Sequence, residues 1–153
     1  MTAAAGSRAP EFSTRNQHGE EIRLSQYAGR PVVLVFYPYA FSGVCTSELT
    51  ALRDRPELLA SAEFLAISCD PMFTLRAYAD ANDLGFGLLT DFWPHGAIAT
   101  SYGAFDHERG CARRATFVID ADGVIRWSVL NAVPDARNPD DYAEALANLP
   151  GRR

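Results

Sequence analysis

The chain has 153 residues, 48% hydrophobic and 22% charged, which suits one compact domain and excludes a largely disordered chain. Its net charge of −5 argues against nucleic acid as the main partner, since phosphate binding needs a cationic surface. All 14 basic residues are arginine, which excludes a Schiff-base lysine, a phosphate-loop lysine and a lysine general base.

The N-terminus has small residues and one arginine but no apolar segment of the secretory type, and residues 1–8 read as a short mobile tail of a single domain spanning 1–153. No apolar run approaches the ~18–20 residues that cross a bilayer, so a cytoplasmic location away from membranes is expected. Glu11 to Thr14 and Glu21 to Leu24 flank Asn16-Gln17-His18-Gly19, a hairpin turn signal. Val32 to Tyr37 is an unbroken β-branched and aromatic run that suits a strand buried on both faces.

A loop from Pro38 to Val44 follows, then a helical pattern from Cys45 to Ala60, with Leu49, Leu52 and Leu59 on one face. Glu63 to Ser68 is a second buried strand, and Pro71 opens a helix through Leu84. Leu88-Leu89 is a very short strand, and Trp93-Pro94 starts a helix ending near Gly103. Ala115 to Asp120 and Val124 to Leu130 flank the turn Ala121-Asp122-Gly123, and Asp140 to Leu149 is a terminal helix. Strands separated by helices call for parallel crossovers, while the late hairpin adds antiparallel strands. An α/β domain follows, with a mixed central sheet flanked by helices.

Ligands of open α/β sheets collect at the carboxyl ends of the strands, which directs attention to the segment after Tyr37. Cys45 falls there, in the first turn of a helix, where free N–H groups and the positive end of the helix dipole favour a thiolate. Ser42 lies three residues earlier, close enough to be a neighbour of the sulfur.

The spacing Pro38, Ser42, Cys45 in Pro-x-x-x-Ser-x-x-Cys resembles the active-site motif of peroxiredoxins. Ala9-Pro10-Glu11-Phe12, Leu24-Ser25 to Gly29 and Arg114 to Asp120 are similar to further landmarks of that family, in the same order. Asp91-Phe92-Trp93-Pro94-His95-Gly96 is similar to the one-cysteine alkyl hydroperoxide reductase E group. The resemblance covers roughly residues 9–149 and implies a thioredoxin-like fold and a thiol-dependent peroxidase acting on hydrogen peroxide or organic hydroperoxides. It implies Cys45 as the nucleophile that becomes sulfenic acid, Ser42 as a hydrogen-bond donor to thiolate and peroxide, and Pro38 as a shield from water. Arg114 would pair with the thiolate and polarise the O–O bond, with Glu48 orienting it. Arg113 is adjacent, but strand alternation allows only one of the two to face the sulfur.

Cys69, at the end of strand 63–68, and Cys111, three residues before Arg114, are the candidate resolving thiols. Neither occupies the position five residues after the nucleophile, which is Thr50, nor falls in the 71–84 helix, where relatives carry such thiols. Both read as structural, and a one-cysteine mechanism is expected, recycled by a low-molecular-weight thiol or a thioredoxin- or glutaredoxin-like protein. No cofactor is implied, because sulfur carries the redox change. No metal site is supported, because His18, His95 and His107 lack ligand spacing. Phe41, Phe92 and Trp93 read as core, although loops beside the active site form a dimer interface in the family, so a homodimer is expected. Two rivals remain. A thioredoxin-type thiol–disulfide oxidoreductase is disfavoured because Ser42 takes the first-cysteine slot of Cys-x-x-Cys. A non-catalytic binding module on the thioredoxin fold is disfavoured by the intact motif.

Overall fold

The computed structural model describes residues 2–131 and 136–150. Its centre is a five-stranded sheet of β3 (Val32–Phe36), β4 (Glu63–Ser68), β5 (Gly87–Thr90), β8 (Ala115–Ile119) and β9 (Ile125–Leu130), in the order β5-β4-β3-β8-β9. β3, β4 and β5 run parallel, whereas β8 and β9 are antiparallel to their neighbours. β1 (Ser13–Arg15) and β2 (Glu21–Arg23) form the expected N-terminal hairpin, followed by a 3₁₀ turn at Leu24–Tyr27.

Side-chain alternation divides the core into two layers. Val33, Val35, Phe64 and Ala66 pack with Leu49 and Leu52 of α1 (Gly43–Arg53), Leu75 and Tyr78 of α3 (Met72–Asn82), and Tyr142 and Leu146 of α5 (Pro139–Ala147). Val32, Leu34, Phe36, Leu65 and Ile67 face the other way, onto Phe12, Ile22 and the Ile98, Ala99 and Tyr102 side chains around α4 (Ala97–Ser101). β3 is therefore buried on both faces, as its unbroken apolar run requires.

The 45–60 helix of the sequence reading divides in two. α1 ends at Arg53, and Pro56 opens the four-residue α2 (Pro56–Leu59), because the residue before a proline is driven out of the helical region. The break changes the inward register, and Leu58 is buried where Leu59 was expected to be. The helix expected from Trp93 to Gly103 shrinks to α4. Its second and third amides, Ile98 and Ala99, donate to the Asp91 carboxylate at 2.9 Å each, and Gly96 precedes it with φ +70, where a Cβ would strike the Phe105 ring.

Two strands are additions to the sequence reading: β6 (Phe105–Asp106) and β7 (Cys111–Ala112), a two-residue hairpin. Residues expected as a mobile tail lie along β9, with the Gly6 amide donating to Ile125 O at 2.7 Å and the Ile125 amide donating to Ser7 O at 2.9 Å. Among the described residues no helix is long and apolar enough to cross a membrane.

Candidate active site

β3 ends at the sheet centre, and the chain turns through Pro38–Phe41 to enter α1. Ser42 is the N-cap of that helix, with extended backbone, and its Oγ accepts the Cys45 amide at 3.4 Å. This cap satisfies one of the orphan amides of the first turn and fixes the serine hydroxyl beside the cysteine. α1 thus begins two residues before the expected start, which places Cys45 in its third position. The side chain is 1% exposed, on the face that packs against β3.

Arg114 approaches from the short link between β7 and β8, with Nη1 at 3.5 Å from Cys45 Sγ. Arg113 is exposed and Arg114 buried, although both lie in the link between the strands, where the expected strand alternation does not apply. Glu48, one turn after Cys45 on α1, forms a buried ion pair through Oε2 with Arg114 Nη2. A residue absent from the sequence reading completes the cluster. Arg137 donates to Glu48 from its amide (2.6 Å), Nε (2.9 Å) and Nη2 (3.1 Å), and its Nη1 reaches Ala115 O and Thr116 Oγ1.

Three buried charges therefore stand behind the thiol: two guanidinium groups and one carboxylate, a net charge of +1. Such a net positive charge is the setting in which an anion at the sulfur would be balanced. Arg114 Nε is buried with no hydrogen-bond acceptor among the described residues. The signal for Arg137 in the sequence was slight. It stands alone between Ala136 and the Asn138 cap of α5, 89 residues from Glu48, and no local pattern links the two.

Pro38 is half-buried at the end of β3, in the loop that returns to Cys45. The two other thiols are also buried. Cys69 follows β4 and is buried. Burial, with Asp91 nearby, pushes its pKa up to about 12. Cys111 is 1% exposed, and burial raises its pKa as well. Both are therefore held as thiols at neutral pH, poor in the nucleophilic form. Among the described residues no group of three or more His, Cys, Asp and Glu side chains is placed to hold a metal ion.

Residues 5–128 match the AhpC/TSA family. The chain is 41% identical to alkyl hydroperoxide reductase E of Mycobacterium tuberculosis over 147 residues, covering 94% of this chain and 96% of that one. It is 35% identical to mouse peroxiredoxin-2 over 151 residues, covering 91% and 75%. Among solved structures, the peroxidoxin BcpB of Mycobacterium tuberculosis superposes with a TM-score of 0.81 at 30% identity, covering 95% of each chain. Enterococcus faecalis AhpC does so at 0.84 and 26%, covering 95% and 91%. The chain thus belongs to the AhpC/TSA family: it is a peroxiredoxin, a thiol-dependent peroxidase on a thioredoxin-like fold.

Proposed function

We propose that Cys45 carries the peroxidase chemistry, with Arg114 and Ser42 as its electrostatic partners, Glu48 and Arg137 fixing the arginine, and Pro38 shielding the sulfur from water. The observation that carries this assignment is the 3.5 Å approach of Arg114 Nη1 to Cys45 Sγ inside the buried charge cluster. Cys45 loses its proton and attacks the terminal oxygen of ROOH. The O–O bond breaks as the S–O bond forms, sulfur is oxidised to sulfenic acid, and the alkoxide takes up a proton and leaves as the alcohol, or as water from hydrogen peroxide. Negative charge moves from sulfur to the leaving oxygen, so donors that bind it more tightly late in the reaction lower the barrier. Arg114, whose Nη1 faces the sulfur, and the Ser42 hydroxyl hydrogen are the donors for that purpose.

Recycling takes two external thiols. The first condenses with the sulfenic acid to give a mixed disulfide and water; the second releases the external disulfide and restores Cys45. A low-molecular-weight thiol or a thioredoxin- or glutaredoxin-like protein fits this step. Cys69 and Cys111, held protonated by burial, do not serve as resolving thiols in this scheme. Mass spectrometry after one equivalent of hydroperoxide tests both statements. Cys45 is expected to gain one oxygen while Cys69 and Cys111 stay free, and Cys45→Ser to gain none. An unmodified Cys45 would sink the assignment, and a Cys45–Cys69 or Cys45–Cys111 disulfide would replace the one-cysteine scheme.

A homodimer is the proposed assembly. Phe41 and Tyr39 beside the active site, Phe92, Phe73 (73% exposed) and Trp93 (83% exposed) are uncovered, against the expectation that Phe41, Phe92 and Trp93 are core. Phe73, Phe92, Trp93 and Pro71 share one cleft, an apolar face of the kind that interface cores use. Sedimentation should give twice the 16.7 kDa chain mass, and Trp93→Arg should return the monomer. A wild-type monomer at micromolar concentration would refute the assembly. The proposed location is the cytoplasm, where thiol reductants are maintained, and cell fractionation checks it.

A further inference from the structure

The loop that carries Pro38 and Ser42 is held from outside. β3 and β4 pair in parallel with Phe36 opposite Ile67, so the residues following each strand emerge side by side. Asp70, just past β4, accepts the Ala40 amide on Oδ2 at 2.8 Å and the Ser68 hydroxyl on the same oxygen at 2.7 Å. Its own carbonyl accepts Thr90 Oγ1 at 2.6 Å, which ties Asp70 to the end of β5.

The residue after Ala40, Phe41, is in the left-handed region at φ +70, a strained conformation for a non-glycine residue that persists only where its surroundings impose it. Within the loop itself the nearest backbone restraint is a long one, the Ser42 amide donating to Tyr39 O at 3.5 Å. The charge-assisted bond from Asp70 is the shorter and stronger anchor, and it acts on the residue immediately before the strained turn.

Resting on the peroxidase reading, we propose that Asp70 is a positioning residue for the peroxide reaction: its carboxylate holds the Ala40–Phe41 turn that delivers the Ser42 hydroxyl to the head of α1 beside Cys45. Asp70 does not touch the reacting atoms; it acts through Ala40 and Ser42.

Comparing two reactions of Cys45 separates this role from a general structural one. Alkylation by iodoacetamide requires a thiolate that the reagent can reach, whereas attack on a peroxide also requires the surrounding donors in register. In Asp70→Ala the ratio of the hydrogen peroxide rate constant to the iodoacetamide rate constant is expected to fall by about tenfold or more, the cost of a misplaced catalytic group. Asp70→Asn keeps an oxygen acceptor for the Ala40 amide and is expected to restore the ratio to within about threefold of wild type. Ser68→Ala removes one of the two bonds on Oδ2 and should lower the ratio in the same direction. An unchanged ratio in a folded Asp70→Ala protein overturns the proposal, and if that variant does not fold, an unchanged ratio in Ser68→Ala overturns it. Failure of the underlying peroxidase reading looks different: wild type itself would react with peroxide no faster than free cysteine.

Discussion

Arg114→Met is expected to lower kcat/KM for hydroperoxide by about 10²–10³-fold, the usual loss when one preorganised donor to a developing anion is removed. The effect should be catalytic and not a consequence of misfolding. Arg114 contributes one of two buried positive charges that share Glu48, and removing it leaves Glu48 paired with Arg137 through three hydrogen bonds. The three-group set of Arg114, Arg137 and Glu48 goes from net +1 to neutral, so Glu48 keeps a buried counter-charge while Cys45 loses the cation at its sulfur. What is lost is the Nη1 contact to Cys45 Sγ at 3.5 Å and the unpartnered Nε donor. Arg114→Lys should recover only part of the rate, because an ammonium is a single point of donation and cannot hold sulfur, peroxide and Glu48 at fixed angles. Arg113→Met is the internal control. Its side chain is exposed, and its rate should stay within about twofold of wild type, as surface changes away from a site usually do. Stopped-flow or competition kinetics with hydrogen peroxide reads all three. A loss in Arg113→Met equal to that in Arg114→Met would remove the basis for assigning the role to one of them.

How much of this site is legible in the sequence depends on how local each contribution is. Ser42 and Cys45 are three residues apart on one helix start, so capping chemistry alone places the hydroxyl and the thiol together, and the observed N-cap bond is that geometry. Glu48 follows one turn later on the buried face of α1, again a local relation. Arg114 is 69 residues from Cys45, and its placement rests on resemblance to a family. Arg137 is invisible by either route: it belongs to no element and meets Glu48 only once β8 and α5 have packed.

The fold divides along the same line. Long apolar strands such as Val32 to Phe36 announce themselves, whereas β6 and β7 are two residues each and exist because the Phe105–Ala112 segment closes on itself across a polar turn. The shortened α4 has a comparable cause. Its start is fixed by the Asp91 carboxylate several residues upstream and by Phe105 against Gly96, neither of which is a propensity of the helix. Exposure of Trp93, Phe92 and Phe41 was equally beyond a chain-order reading, because an aromatic residue looks the same in sequence whether it faces a core or a partner.

Glu48→Gln should cost about 3–5 kcal/mol of stability, the penalty for breaking a buried ion pair by removing one partner. The carboxylate and the Arg114 and Arg137 side chains are each 2% exposed, so no solvent replaces the lost charge. Glutamine keeps one oxygen acceptor but carries no charge, and its amide donors point at two cations that already have donors in excess. The cluster moves from +1 to +2, unpartnered and dry. For a domain of this size, at about 2–4 °C per kcal/mol, the melting temperature should fall by about 6–20 °C in circular dichroism. The charge count makes a second, less obvious claim: adding Arg137→Met to Glu48→Gln should be less damaging than the two single effects combined, because it removes one of the two stranded cations. Peroxide turnover in the double variant should nevertheless stay low, since Arg114 has lost the carboxylate that aims it at Cys45. A Glu48→Gln protein within about 1 kcal/mol of wild type would mean that the two arginines find other counter-charges, and the charge argument for an anion at the Cys45 sulfur would go with it.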